Sequence, residues 1–263
     1  MKKTRLFSKI VAMALVAVMA CCIFASAYEG RHKTLYGDNG EYIGYSTLYV
    51  DGTRANGGVF LKTSDNRYVE PGMLRVRATL AYADNGAVFY SSEVKENPRA
   101  YYFVDTTTTY RPALRTACSV GLASIEDLPY FMQLPTCYVG DNYTRSSDIE
   151  SQLAALAERT LVGGNAYPVN DAGETYGSIL LTDKVGEGPD LIYAVNQDDV
   201  YGYIRYEDIM NANPVYSRAA TPAFTLYDVD GNVIGDFELG ESESSVSDAP
   251  VLEAAQAEMH LAQ

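Results

Sequence analysis

The side chains able to shuttle a proton at neutral pH are few in this 263-residue chain, which has only two histidines, His32 and His260. Both lie near the ends, in segments prone to fraying. A Ser-His-Asp or Cys-His arrangement therefore lacks a central imidazole, and no Gly-x-Ser-x-Gly elbow occurs. Zinc requires clustered His and Cys, which the spacing does not provide. Phosphate-cradling loops fare no better. No Gly-x-x-x-x-Gly-Lys is present, and Gly186-Glu187-Gly188 sets an acid where a phosphate would sit. The sequence calls for no cofactor.

Oxygen chemistry offers more. Asp228-x-Asp230-Gly231-Asn232 begins like a calcium loop, but an EF-hand needs Gly at position 233 and Glu at position 239, where Val233 and Leu239 stand. Asp-Gly serves a hairpin turn directly, so a turn is expected, with calcium on Asp228, Asp230 and Asn232 as the alternative. Two-carboxylate glycoside hydrolysis leaves no spacing signature, and an acid-rich surface is ordinary for a chain of net charge −14. Outside the cytosol, Cys118 and Cys137 are expected to form a disulfide. Closing their loop would contribute about 3 kcal/mol in the chain-entropy view.

The elements that must position these residues begin with an address. Lys2, Lys3, Arg5 and Lys9 precede an uncharged apolar run from Ile10 to Phe24, and Ala25-Ser26-Ala27 supplies small residues. This layout predicts a signal peptide over 1–27, with cleavage between Ala27 and Tyr28 and a secreted product. The alternative is a lipoprotein anchored through Cys21, after Val18-Met19-Ala20. Cleavage removes four basic residues and no acidic one, so the mature chain is more negative still. That balance argues against nucleic acid and against an anionic membrane surface as partners.

From 28 to 143 strand signals dominate. Segments 34–36 and 42–50 flank Gly37-Asp38-Asn39-Gly40, and 74–82 and 87–94 flank Asp84-Asn85-Gly86. Leu74, Val76, Ala78 and Leu80 alternate with Arg75, Arg77, Thr79 and Ala81, which predicts a half-buried strand with one wet face. With further strands at 58–63, 100–110, 116–124 and 130–139, this half reads as an antiparallel β-sandwich or open barrel.

A polar linker at 141–147, with a glycosylation sequon at Asn142-Tyr143-Thr144, precedes a change of period. Ser147 and Glu150 fit a capping box, and Ile149, Leu153, Leu156, Ala157 and Leu161 share a helical face that Gly163-Gly164 ends. Strands follow at 191–195, 201–206, 224–227 and 233–239. A small α+β domain is expected over 146–240, one helix packed on short antiparallel strands, folding independently of 28–143. The acidic 241–263 is expected to be a disordered tail.

The second half carries Tyr167-Pro168-Val169-Asn170-x-x-Gly173-Glu174-Thr175-Tyr176-Gly177-Ser178. It continues with Pro189-Asp190-Leu191-Ile192, Gly202-Tyr203-Ile204-Arg205-x-x-Asp208-Ile209 and Leu226-Tyr227-Asp228-x-Asp230-Gly231-x-x-Ile234-Gly235-x-Phe237. In order and spacing these blocks, over about 165–240, resemble a segment of exported proteins of Gram-positive bacteria. That resemblance brings no catalytic or binding residue with it. Gly202-Tyr203-Ile204 also resembles the Gly-Trp-Val strand of bacterial SH3-like wall modules. Read physically, the blocks look structural: Gly202 permits a close approach or a bulge, and Tyr176 and Tyr203 are expected half-buried with wet hydroxyls.

Two functions follow. The first is a secreted or surface interaction protein, not an enzyme, that binds a protein or a cell-wall glycan. The alternative is an enzyme with an unfamiliar carboxylate or Tyr/Ser site, such as a glycan-active hydrolase. An exposed row of tyrosines on one sheet face favours binding; a deep cleft with two facing acids favours catalysis.

Overall fold

The computed structural model describes residues 26–51, 54–110, 116–141, 147–213 and 222–240. The apolar leader with Cys21, the sequon at 142–144, His260 and the tail from 241 lie outside the described residues. In chain order the first strands are β1 (Ser26–Glu29), β2 (Lys33–Gly37), β3 (Gly40–Asp51), β4 (Arg54–Thr63), β5 (Leu74–Tyr82) and β6 (Val88–Ser91). Then come β7 (Lys95–Glu96), β8 (Phe103–Tyr110), β9 (Ala117–Ile125), β10 (Met132–Gln133) and β11 (Cys137–Tyr138). Helix α1 (Ser147–Thr160) leads into β12 (Tyr176–Gly177), a 3₁₀ turn at Ile179–Leu181 and α2 (Thr182–Val185). The remainder is β13 (Leu191–Val195), β14 (Tyr201–Arg205), α3 (Tyr206–Met210), β15 (Ala223–Tyr227) and β16 (Val233–Glu238).

The fold is mainly β. Among the described residues, a five-stranded antiparallel sheet runs β1-β3-β4-β8, with β2 also on β3. It packs face to face on β5 and β9, and Val59, Leu61, Leu74, Val76, Ala78, Val104 and Ile125 fill the space between. This is the expected sandwich. Its β2–β3 hairpin turns at Asp38 and Asn39, whose backbone N–H groups both donate to the Glu126 carboxylate, at 2.9 and 2.8 Å. The Tyr42 hydroxyl adds a third donor at 2.9 Å. Burial works to raise the Glu126 pKa, but these donors outweigh it and hold the carboxyl below its usual range.

The second sheet departs from the expected plan. Among the described residues it has eleven strands along β10-β9-β5-β6-β13-β14-β15-β16, with β7, β11 and β12 at its sides, so it crosses from one half of the sequence to the other. The crossing is a parallel pairing of Ala194 in β13 with Val88 in β6. Bridges Tyr130↔Asn211 and Ser92↔Gly240 reinforce it. One core cluster holds Ala81, Val88, Cys118, Val120 and Leu122 together with Ile149, Leu156, Ile179, Ile192, Ile204 and Phe237. The two regions 28–143 and 146–240 therefore share a sheet and a core, and the expected independent domains are not separate structural units.

The same packing corrects the wet face assigned to β5. Alternation is real, since Leu74, Val76, Ala78 and Leu80 face the five-stranded sheet, yet all nine residues of β5 are buried, as are all nine of β9. The opposite face is covered by the second half. Arg77, fully buried, donates from Nη1 to the carbonyls of Ile209 at 2.6 Å and Asp208 at 3.3 Å, at the end of α3. Its guanidinium also lies over the rings of Phe131 and Phe224, at 5.4 and 5.2 Å.

Helix α1 buries the predicted face, with Ile149, Leu156 and Ala157 inside and Leu153 partly covered. Ser147 is its first helical residue and so does not stand at the cap position expected for it, while Gly163 and Gly164, at φ 62° and 76°, stop the helix as expected. The segment 130–139 is two short strands and not one.

Candidate functional site

Strand β14 alternates Tyr201, Tyr203 and Arg205 with buried Gly202 and Ile204, so its hydroxyl-bearing side chains share one sheet face. Gly202 is where the chain has no room for a side chain: a Cβ there would lie 2.5 Å from the Tyr227 carbonyl oxygen. The close approach coincides with a bulge at Leu226/Tyr227 in β15. Tyr203 sits directly opposite Tyr193 of β13. The rings form a continuous row. Tyr176 meets Tyr203 edge-on at 5.7 Å, Tyr203 meets Tyr193 at 5.7 Å, and Tyr193 stacks on Tyr201 at 5.8 Å.

Beside the row, the end of α1 and the strands enclose a cleft of about 620 Å³. Its walls include Tyr176, Tyr193 and Tyr203, Pro168, Leu156 and Leu161, and Asn85 from the β5–β6 turn. That volume falls within the range of small-ligand sites, about 300–1,000 Å³. Tyr176 and Tyr203 are half-buried, as the sequence led us to expect. Burial foremost, then the neighbouring Tyr176 and Tyr193, pushes the Tyr203 hydroxyl up to about 12, so it stays protonated and able to donate. Arg159 stands at the cleft in the last turn of α1, where a cation suits the helix dipole. It donates from Nη2 to the Asp84 carbonyl at 2.7 Å and from Nε to the Ala155 carbonyl at 3.2 Å.

The sequence blocks at 167–178, 189–192, 202–205 and 226–231 meet one another on the same part of the fold, and mostly as pins. Asn170 accepts the N–H groups of Ala172 and Glu174 and donates to the Val229 carbonyl at 2.8 Å. Arg205 pairs with Glu174 at 2.9 Å and lies over the Tyr227 ring at 5.0 Å. Asp190 receives the Thr175 N–H and hydroxyl at 2.7 and 2.8 Å. These contacts fix the loops around the tyrosine row.

Asp228, Asp230 and Asn232 form the β15–β16 turn. Asp228 Oδ1 accepts the N–H groups of Asp230 and Asn232, at 3.0 and 2.8 Å, and its Oδ2 accepts the Asn232 side-chain amide at 2.9 Å. Among the described residues, no three His, Cys, Asp or Glu side chains converge as a metal site, and no helix is long and apolar enough to cross a membrane.

The expected disulfide is absent: Cys118 and Cys137 are both unbridged and buried. Register explains why. Cys137 pairs with Ser119, and Cys118 with Tyr138, so the two thiols are one residue out of step and point to opposite faces of the sheet. Cys118 enters the core shared by both halves, whereas Cys137 enters the sandwich interior. Ala27 and Tyr28 lie in β1, opposite Tyr49 and Leu48, so cleavage between them would leave only Tyr28 and Glu29 of that strand.

A second aromatic ribbon crosses the outer face of the five-stranded sheet. His32 stacks on Tyr45 at 4.4 Å, Tyr45 on Phe60 at 5.2 Å and Phe60 on Phe103 at 5.2 Å. Each ring covers the next one's face, the usual cross-strand device for stabilising a sheet. Sequence reasoning had singled out Tyr176 and Tyr203 but missed Tyr193, Arg159 and Asn85. The i, i+2 tyrosines of β14 were a legible signal for the row; the cleft, built from the β5–β6 turn, α1, β12, β13 and β14, left none. No protein-family model matches the chain, and neither a curated protein nor a solved structure does.

Proposed function

We propose that the mature chain is an exported bacterial binding protein that holds its ligand, a cell-wall glycan or another extracellular molecule, in the tyrosine-lined cleft. The observation that carries this reading is the unbroken row Tyr176-Tyr203-Tyr193-Tyr201 bordering a concave site of ligand size. Tyrosine suits such a surface, with an apolar ring to stack and a hydroxyl to hydrogen-bond. The hydrolase alternative needs two carboxyl groups facing each other across the substrate. Among the described residues lining this cleft there is no Asp or Glu. Export rests on the basic, apolar and small-residue segments of the first 27 positions.

Sedimentation of the full mature chain with purified bacterial cell walls tests the reading. Wild type should bind saturably, and Tyr193→Ala with Tyr203→Ala should weaken binding by about thirtyfold, the effect of losing an aromatic anchor. Equal binding by wild type and the double variant, both folded, would overturn the assignment of the cleft.

A further inference from the structure

The chain is strongly acidic, with net charge −14. The cleft inverts that balance, because among the described residues that line it the one charged side chain is Arg159. Two backbone carbonyls hold this guanidinium in place, and its Nη1 makes no hydrogen bond to any described residue. Other free hydrogen-bonding groups point the same way. Asn85 uses Oδ1 to accept the Ala87 N–H, and its amide nitrogen has no partner among the described residues. The hydroxyls of Tyr176 and Tyr203 are likewise without one. The site thus offers a positive fork and several neutral donors beside an angled wall of aromatic rings.

We infer that the ligand is a carboxylate-bearing sugar, its carboxylate on Arg159 and the apolar face of its ring on Tyr203 and Tyr193. This rests on the cleft being the binding site. A guanidinium fork matches a carboxylate, and an aromatic wall at these angles suits the C–H face of a pyranose whose hydroxyls accept from Asn85 and the tyrosines. An extended peptide is disfavoured by topology. Adding a strand needs a free sheet edge, and β13 is flanked by β12 and β6 on one side and by β14 on the other, with β15 beyond.

The test titrates the mature chain with trigalacturonate, its full methyl ester and an N-acetylmuramate-containing disaccharide, reading tyrosine fluorescence and heat. At least one acid should bind saturably, and in the galacturonate pair the ester should bind about ten- to a hundredfold more weakly. Arg159→Gln should remove the preference for acid without changing ester affinity or the melting temperature, and Arg159→Lys should restore part of it. Acid and ester binding equally, with Tyr203→Ala abolishing both, would overturn the acidic-sugar inference and leave the cleft assignment standing. Binding unaffected by both Arg159→Gln and Tyr203→Ala would overturn both. Saturation by none of the probes at millimolar concentration would overturn the inference, as would inorganic phosphate competing as well as the sugar acids.

Discussion

Arg77 joins the two halves of the sequence, and replacing it measures how far they unfold together. Its Nη1 bonds to Ile209 and Asp208 carbonyls at 2.6 and 3.3 Å satisfy acceptors that α3 leaves open at its C-terminal end. In Arg77→Met the aliphatic volume is largely kept, while two carbonyls beside a buried core lose a charged donor. Each orphaned acceptor costs about 1–3 kcal/mol. Removing a desolvated charge returns part of that. A net loss of ~3 kcal/mol follows, lowering the melting temperature by about 6–12 °C in a chain of this length. Arg77→Ala should cost about 2 kcal/mol more, through the cavity it opens. Urea unfolding followed by circular dichroism and by tyrosine fluorescence should give one coincident transition in wild type and variant alike. Hydrogen exchange should show β9 and β13 losing protection by the same amount. Two separable transitions, only the first of them shifted by Arg77→Met, would refute the shared core; so would a change below about 0.5 kcal/mol, the level of an ordinary surface substitution.

Three further outcomes are expected. The donors around Glu126 depress its folded pKa below the unfolded value, so its stabilisation is full above the ordinary carboxylate range and is lost as pH falls through the depressed value. Glu126→Gln should therefore flatten the acid limb of the melting-temperature profile, and an unchanged limb would contradict the assignment. Gly202→Ala puts a Cβ against the Tyr227 carbonyl oxygen and should destabilise by about 1–3 kcal/mol in urea titrations; a neutral effect would mean that the β14–β15 approach is looser than described. Cys118 and Cys137 should be unreactive to a thiol reagent in the native protein and both titrate after unfolding, with reductant leaving the melting temperature unchanged. Burial foremost, then the Asp141 charge, pushes the Cys137 thiol up to about 12. Thiols still silent in denaturant would restore the disulfide.

Local chemistry was legible in the sequence wherever a few adjacent residues decide the outcome. Turn residues Asp38-Asn39 and Asn85-Gly86, the period-two strands of both halves, the face of α1 and its Gly163-Gly164 stop, and the Gly202 close approach all follow from side-chain period and backbone freedom. The Asp228 turn belongs with them, because a carboxylate two and four residues from its N–H partners finds them without help from the fold. Tertiary structure decided the rest. Alternation in β5 separates two faces but cannot tell solvent from a second layer, so Arg77 read as wet although α3 and Phe224 cover it. The count of cysteines could not reveal a one-residue register offset, which in a pleated sheet turns Cys118 and Cys137 to opposite faces. Linker composition was silent about the pairing of β6 with β13, a contact between residues a hundred positions apart. The cleft depends on that same pairing, since it brings Asn85 to Arg159 and the tyrosines of β12, β13 and β14. Long-range pairing has no local signature, and here it built both the shared core and the site.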